Sequence, residues 1–94
     1  MLEVTGAALN RLSKKLAQKK ADDGETFRFI KNKGGWKLSV DRAQPGDKAF
    51  LYAGREVLVL DPVVTKAMAR HRLDVHNTER GERLKLQRTM SREA

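Results

Sequence analysis

The sequence feature that most constrains the fold is the unbroken aliphatic run Val57–Leu60, which has a turn signal before it and a helix start after it. Such a run of strand-forming residues is typical of a central strand that is covered on both faces. Gly54 can adopt a positive φ at no steric cost and so predicts a hairpin turn before the run. Asp61 and Pro62 match the N-cap and the first residue of a helix. The stretch Asp47–Arg70 therefore predicts a strand, a tight turn, a second strand, a sharp corner and a short helix.

The N-terminal part of the chain predicts a short strand followed by a helix. Leu2–Val4 alternates like a strand, and Thr5 is a suitable N-cap for the helical pattern Gly6–Ala21. The segment Asp22–Gly24 is predicted to end this helix. The narrow apolar stripe consists of Leu9, Leu12 and Leu16, and the opposite face is predicted to carry Arg11, Lys14, Lys15 and Gln18.

The remaining segments predict short strands joined by turns. Thr26–Asn32 and Trp36–Arg42 alternate as a hairpin, and Gln44–Asp47 has proline and glycine in the order of a type II turn. About seven short strands and two helices indicate an α+β class. Two last strands and their polar turn are predicted around Leu73–Val75, Asn77–Gly81 and Leu84–Leu86, and the core is predicted to include Leu9, Leu12, Leu16, Phe27, Phe29, Leu38, Val40, Phe50, Val57, Val59, Leu73, Val75, Leu84 and Leu86.

Composition excludes several classes of function. The chain has no cysteine, which excludes disulfides, thiolate nucleophiles and zinc sites built on cysteine. A formal net charge of +8 favours polyanionic partners but also serves solubility. No apolar stretch approaches the roughly 20 residues of a membrane span, and the N-terminus lacks the pattern of a signal peptide. We therefore expect a cytoplasmic protein with no membrane partner and no cofactor.

Several segments, taken in order, match the pattern of one known family. Leu2–Ala8 combines an opening strand with a helix start, and Pro45–Asp61 forms a hairpin whose glycine-containing turn leads into an apolar strand ending in aspartate. Leu73–Val75 is a short strand after a small helix, and Gly81–Leu86 is a final strand. Over roughly residues 2–88, this order resembles the HesB-like family of A-type iron–sulfur carriers.

The resemblance implies a HesB-like domain over residues 1–88, with short strands in two small mixed β-sheets, an N-terminal helix and a second short helix. Residues 89–94 carry no periodic signal, and we expect them to form a flexible tail. The family holds iron or an iron–sulfur cluster and passes it to apo-proteins. It uses one cysteine in the loop after the first inner strand and a Cys-Gly-Cys near the C-terminus. Here that loop is Lys31–Gly35, and no cysteine follows Leu86. We therefore expect the scaffold without cluster carriage and assign no metal, cofactor-binding or catalytic residue.

The histidines and acidic residues give little support for a metal site or a catalytic site. His71 is predicted near the end of the short helix and His76 on the outer face of a strand, and two histidines without a third ligand are a weak metal signal. Asp61 is explained as a helix cap and Asp47 as a turn residue. Because no nucleophile, acid–base pair or phosphate loop is recognisable, we predict that the protein is not an enzyme.

Trp36 and the basic residues are the candidates for binding. Trp36 lies among three lysines, where its ring either stacks on a base or a partner, or closes the core beneath the turn. The basic residues either contact phosphates, on the first helix and along the second half of the chain, or form a solvated face. The candidate polyanion-binding residues are Lys14, Lys15, Lys31, Lys33, Lys37, Lys66, Arg70, Arg72, Arg83 and Lys85.

Three functions remain open at this point. The favoured one is a non-catalytic HesB-like protein that has lost its ligating cysteines and acts on a protein partner as an accessory or regulatory interaction protein. The first alternative is a basic nucleic-acid-binding module. The second is an iron–sulfur assembly accessory factor that supplies ligands jointly with a partner, which predicts a groove near Lys31–Gly35. An unpaired edge strand would also support a homodimer.

Overall fold

The computed structural model describes residues 2–22 and 24–88 of the chain. Within these ranges the predicted α+β class is confirmed, with two helices and seven strands. The predicted C-terminal tail, residues 89–94, lies outside the described residues. In chain order the elements are β1 (Glu3–Val4), α1 (Gly6–Gln18), β2 (Glu25–Asn32), β3 (Gly35–Arg42), β4 (Lys48–Tyr52), β5 (Arg55–Leu60), α2 (Pro62–Ala67), β6 (His71–Thr78) and β7 (Gly81–Arg88).

The strands form two small sheets. The first has the order β1-β6-β7 and the second the order β3-β2-β5-β4. Strand β1 pairs in parallel with β6, and β2 pairs in parallel with β5, whereas the other pairs are antiparallel. Both sheets are therefore mixed, as predicted. Neither helix in the described ranges combines the length and apolar composition that crossing a membrane requires.

The central position of the aliphatic run is confirmed. Val57–Leu60 lies in β5, between β2 and β4, and all its side chains are 0% exposed. Helix α1 packs against strands of both sheets and buries its stripe through Ala8, Leu12 and Leu16. All the predicted core residues are buried or pack half-buried against the core, which also contains Leu2, Ala8, Leu58, Leu60, Val64 and Met68.

The turns around β4 and β5 adopt the predicted geometry. Gly46 has a φ of 90°, and the Asp47 N–H donates to the Gln44 carbonyl at 3.0 Å, as in a type II turn. In the β4–β5 hairpin, Ala53 and Gly54 have φ values of 53° and 81°. Two consecutive residues with positive φ characterise the type I′ turn, which matches the twist of the flanking strands.

The end of α1 differs from the prediction. Lys20 adopts the left-handed conformation, with a φ of 54°. Its N–H donates to the Ala17 carbonyl and the Ala21 N–H donates to the Leu16 carbonyl, each at 3.1 Å, which is the Schellman pattern. The prediction that Asp22–Gly24 ends the helix is therefore wrong, because a lysine occupies the position at which glycine usually marks the end.

The boundaries after Asp61 also need correction. The Asp61 side chain accepts from the Val64 N–H at 2.8 Å, so the predicted N-cap is confirmed. Helix α2 is shorter than predicted because the chain leaves the helical conformation at Met68. His71 is therefore the first residue of β6 and lies outside the helix, with its N–H donating to the carbonyl of Met68, the C-cap of α2, at 3.1 Å. The turn predicted at Asn77–Gly81 contains only residues 79 and 80, since β6 continues to residue 78.

Candidate functional site

A cationic cleft of about 450 Å³ is lined by residues of α1, β3 and the β6–β7 hairpin. This volume lies within the range of small-molecule sites. The lining contains four cationic side chains, one carboxylate and two leucines. They are Arg11 and Lys15 from α1, Leu38 from β3, Arg80 from the β6–β7 turn, and Glu82, Arg83 and Leu84 from β7.

Helix periodicity brings Arg11 and Lys15 together at one side of the cleft. Residues four apart on a helix are neighbours on its surface. Both side chains are half-buried beside the apolar stripe, whereas Lys14 and Gln18 are exposed. The prediction that Arg11 and Lys15 lie on the outer face of the helix is therefore wrong, because each one borders the buried stripe.

The cationic side chains that line the cleft repel one another. Within the described part of the chain, Arg11, Lys15, Arg80 and Arg83 form no ion pair. Burial lowers the pKa of Lys15, and the charges of Arg11, Lys19 and Arg83 lower it further. The Arg11 Nε is buried and has no hydrogen-bond acceptor among the described residues. The lining therefore concentrates positive charge that the single carboxylate of Glu82 offsets only in part.

An apolar groove of about 300 Å³ adjoins the cleft. Leu38 and Leu84 line both, so the two lie side by side. Trp36 is half-buried in the groove and meets the Phe29 ring edge-on, with 6.3 Å between the ring centroids and 70° between the planes. The Lys31 Nζ lies 5.6 Å from the centroid of the Trp36 ring. The groove is lined by Phe29, Trp36, Leu38, Leu73, Leu84 and Leu86.

Of the predicted polyanion-binding residues, the structure brings only Lys15 and Arg83 into the cleft. Lys31, Lys33 and Lys37 are exposed near Trp36 at the β2–β3 hairpin, and Lys14, Lys66 and Arg70 are exposed elsewhere. Arg72 pairs with Glu3 at 2.9 Å, and Lys85 lies opposite Asp74. The sequence interpretation missed Arg11 and Arg80. Their signals were the spacing of four between Arg11 and Lys15 and the position of Arg80 in the turn before Arg83.

Arg28 forms a buried charge cluster that the sequence did not reveal. Its guanidinium donates to both carboxylate oxygens of Asp47, at 2.6 and 3.1 Å, and to Asp41 at 3.0 Å. It also donates to the Arg42 carbonyl at 3.0 Å. The side chains of Arg28 and Asp47 are 10% and 5% exposed. Asp47 is therefore more than a turn residue, since it neutralises a cation in the core.

The Arg28 cluster shifts the ionisation of its members in the direction expected for ion pairs. The hydrogen bonds from Arg28 hold the pKa of Asp47 below its usual value, against an opposing effect of burial, and the Gln44 N–H lowers it further. The Arg42 N–H and then Arg28 lower the pKa of Asp41. Because every charge in this cluster has a partner, its role is structural.

The hairpin loop at which the HesB-like resemblance implies a cysteine is a short turn here. Residues 33 and 34 join β2 to β3, and the Gly34 N–H donates to the Asn32 side chain at 3.0 Å. The chain has no cysteine, and among the described residues no group of three histidine or acidic side chains is placed to hold a metal ion. Since iron–sulfur clusters require thiolate ligands, these residues do not fit a cluster.

Comparison with solved structures shows that the chain has the fold of the A-type iron–sulfur carriers, as the HesB-like resemblance implied. Similar structures include Escherichia coli SufA, involved in biosynthesis of iron–sulfur clusters (TM-score 0.72, 18% identity, 93% of this chain and 84% of SufA); IscA with a [2Fe-2S] cluster (0.60, 17%, 94% and 85%); and an Aquifex aeolicus protein (0.58, 23%, 92% and 89%). No protein-family model matches the chain, and no curated protein sequence matches it significantly.

Proposed function

We propose that this protein uses the carrier fold for non-catalytic binding and acts as an accessory or regulatory interaction protein on a protein partner. The observation that supports the proposal most directly is the combination of this fold with a complete lack of cysteine. Thiolates are the ligands that hold iron–sulfur clusters. Without thiolates, the protein retains the surfaces of the fold but lacks the ligands that hold a cluster. We also propose that it has no enzymatic activity.

The electrostatics of the β2–β3 hairpin support the loss of cluster carriage. Lys31 and Lys33 are exposed at the hairpin, and Lys31 lies over the Trp36 ring. Ammonium groups repel a metal cation and have no lone pair to donate while they are protonated. Both the ligand set and the local charge therefore disfavour iron at this position.

Anaerobic reconstitution tests this proposal. The purified protein and SufA are incubated with ferrous iron, sulfide and reductant, then desalted, and the iron content and visible absorbance are measured. We expect cluster absorbance and stoichiometric iron in SufA and neither in this protein. Stoichiometric iron with cluster absorbance in this protein would overturn the proposal.

A second candidate function is nucleic-acid binding, favoured by the placement of Trp36. The Lys31 Nζ lies 5.6 Å from the centroid of the half-buried ring, and Lys33 and Lys37 are exposed on the same hairpin. Such an arrangement of an aromatic ring in a cationic rim can support base stacking with backbone contacts. Fluorescence polarisation with RNA and duplex DNA at about 50 and 200 mM salt tests it, because phosphate contacts make affinity depend steeply on salt.

Matched triple variants sharpen the nucleic-acid test. Replacing Lys31, Lys33 and Lys37 with Gln removes three charges at the hairpin, and replacing Lys14, Lys48 and Lys66 with Gln removes three elsewhere. If the hairpin binds nucleic acid, only the first variant loses most of the affinity. Equal losses would mean that the net charge alone attracts the polyanion, and no binding at low salt would reject this function.

The apolar groove supports the third candidate, an assembly accessory factor that acts with a partner. The groove includes Trp36, at the hairpin where such a partner was predicted to enter. Mixing this protein with cluster-loaded SufA, with and without a Trp36→Ala substitution, and following cluster absorbance tests it. An unchanged rate of cluster loss from SufA in both mixtures would reject it. A homodimer through an edge strand remains a proposal that sedimentation measurements test directly.

A further inference from the structure

We propose that the cationic cleft binds a small phosphorylated organic molecule that carries at least two phosphate groups, with Arg11, Lys15, Arg80 and Arg83 as the phosphate-binding residues. This inference goes beyond the proposed function, because it assigns a small-molecule site that neither the fold nor a protein partner requires. It rests on three features of the cleft: its charge, the arginine donors that line it and the apolar groove beside it.

The charge of the cleft favours a ligand that carries several negative charges. Two cations come from α1, one from the β6–β7 turn and one from β7, so residues distant in sequence converge on one space. With Glu82 as the one acid in the lining, the net charge is +3. None of these side chains forms an ion pair in the described ranges. An anion with a single charge would leave most of this repulsion in place.

The donors of the cleft suit phosphate better than carboxylate alone. Three of the four cations are arginines, whose planar guanidinium groups bind phosphate oxygens in a bidentate way. Arg11 and Lys15 extend from a regular helix and are half-buried, so their positions are restrained before a ligand arrives.

The shape of the site indicates what the phosphates are attached to. The cleft borders, at Leu38 and Leu84, the apolar groove that contains Phe29 and Trp36. A ligand with phosphates in the cleft and a flat or apolar body in the groove would cover both surfaces. Inorganic triphosphate and ATP therefore test the site as a pair, because they share the charged part and differ in the organic part.

Isothermal titration calorimetry at about 50 mM NaCl tests the proposal, with inorganic triphosphate and ATP as titrants. We expect saturable binding of one equivalent with a Kd of about 100 μM or tighter, weakening at about 200 mM NaCl. The Arg11→Gln and Arg83→Gln substitutions should each weaken binding about tenfold, while Lys14→Gln and Lys66→Gln, which remove the same charge from exposed positions, should change it less than about threefold.

Two comparisons keep the test decisive. Arg83 is exposed, so we expect the Arg83→Gln variant to fold even if the Arg11→Gln variant does not. Circular dichroism checks that each variant is folded. Tighter binding of ATP than of triphosphate supports use of the groove. No saturable binding of either titrant, equal losses in the control variants, or binding of an oligonucleotide but not of triphosphate would overturn the proposal. The reconstitution experiment does not depend on any of these outcomes.

Discussion

Two regions of this molecule hold positive charge in opposite ways. In the buried cluster, Arg28 has Asp47, Asp41 and a backbone carbonyl as acceptors. In the cationic cleft, which Arg11 and Lys15 line together with Arg80 and Arg83, none of the four cations forms an ion pair with a described residue. The first region is more buried and yet electrostatically satisfied, whereas the second is more open and unsatisfied.

The difference separates charge that stabilises the fold from charge that is available for binding. A buried ion pair whose partners are all present stabilises the fold little more than an apolar pair of similar size would. Removal of one partner, however, strongly destabilises the fold. A group of unpaired cations lowers the stability of the free protein and gains an interaction when an anion binds. Substitutions in the two regions should therefore have opposite effects on stability.

The largest effect is expected from breaking the buried cluster. An Asp47→Ala substitution leaves Arg28 charged and poorly paired in the core, and we expect a loss of about 3 kcal/mol in the free energy of unfolding. Urea denaturation followed by circular dichroism measures it. The double variant Arg28→Met, Asp47→Leu should lose less, because it removes both charges. A single variant as stable as the wild type would mean that the cluster does not contribute.

Acid should weaken the same cluster. Folding lowers the pKa of Asp47, so its contribution to stability is present above the unfolded value of about 3.9 and is lost as the pH falls through the folded value. When denaturation midpoints are measured between pH 6 and 2, they should decrease once the pH drops below about 4. The Asp47→Ala variant should show a smaller decline, with a remainder from Asp41 and Asp74, whose pKa values are also lowered. Parallel curves for the two proteins would contradict this assignment.

Neutralising the cleft should act in the opposite direction. A base whose pKa is lowered on folding costs stability while it is protonated, which applies to Lys15. We expect Lys15→Met to raise the free energy of unfolding by about 0.5 kcal/mol at low salt, with the gain decreasing as salt screens the repulsion. Lys14→Met, on the exposed side of α1, serves as the control. A destabilised Lys15→Met protein would show that Lys15 has a structural partner.

The smallest effect is expected from an exposed ion pair. It serves as the reference for the stability changes expected in the buried cluster and in the cleft. Arg72 and Glu3 lie 2.9 Å apart, with side chains that are 46% and 60% exposed. Glu3→Gln should change the free energy of unfolding by less than about 0.5 kcal/mol, since exposed pairs are weakened by water and salt. A larger loss in urea denaturation would show that the pairing of β1 with β6 depends on this contact.

Prediction from sequence succeeded where the signal is local. Val57–Leu60, the Asp61 cap and the Gln44–Asp47 turn were all predicted, because hydrophobic patterning, capping chemistry and the φ preference of glycine act over a few residues. Prediction failed at Lys20, where an unusual residue adopts the left-handed conformation. It also failed at Arg28, since no local pattern shows which aspartate will reach a buried guanidinium.

The candidate site was predicted only in part. Lys15 and Arg83 were proposed as anion-binding residues, but they were placed on separate surfaces together with residues that the fold keeps apart. Their convergence with Arg11 and Arg80 depends on how α1 packs beside the β6–β7 hairpin. The sequence by itself therefore determined the elements, the absence of thiolate chemistry and the excess of positive charge. Only the tertiary structure decided which charges are neutralised and which face one another, because electrostatic interactions depend on distance and burial in space.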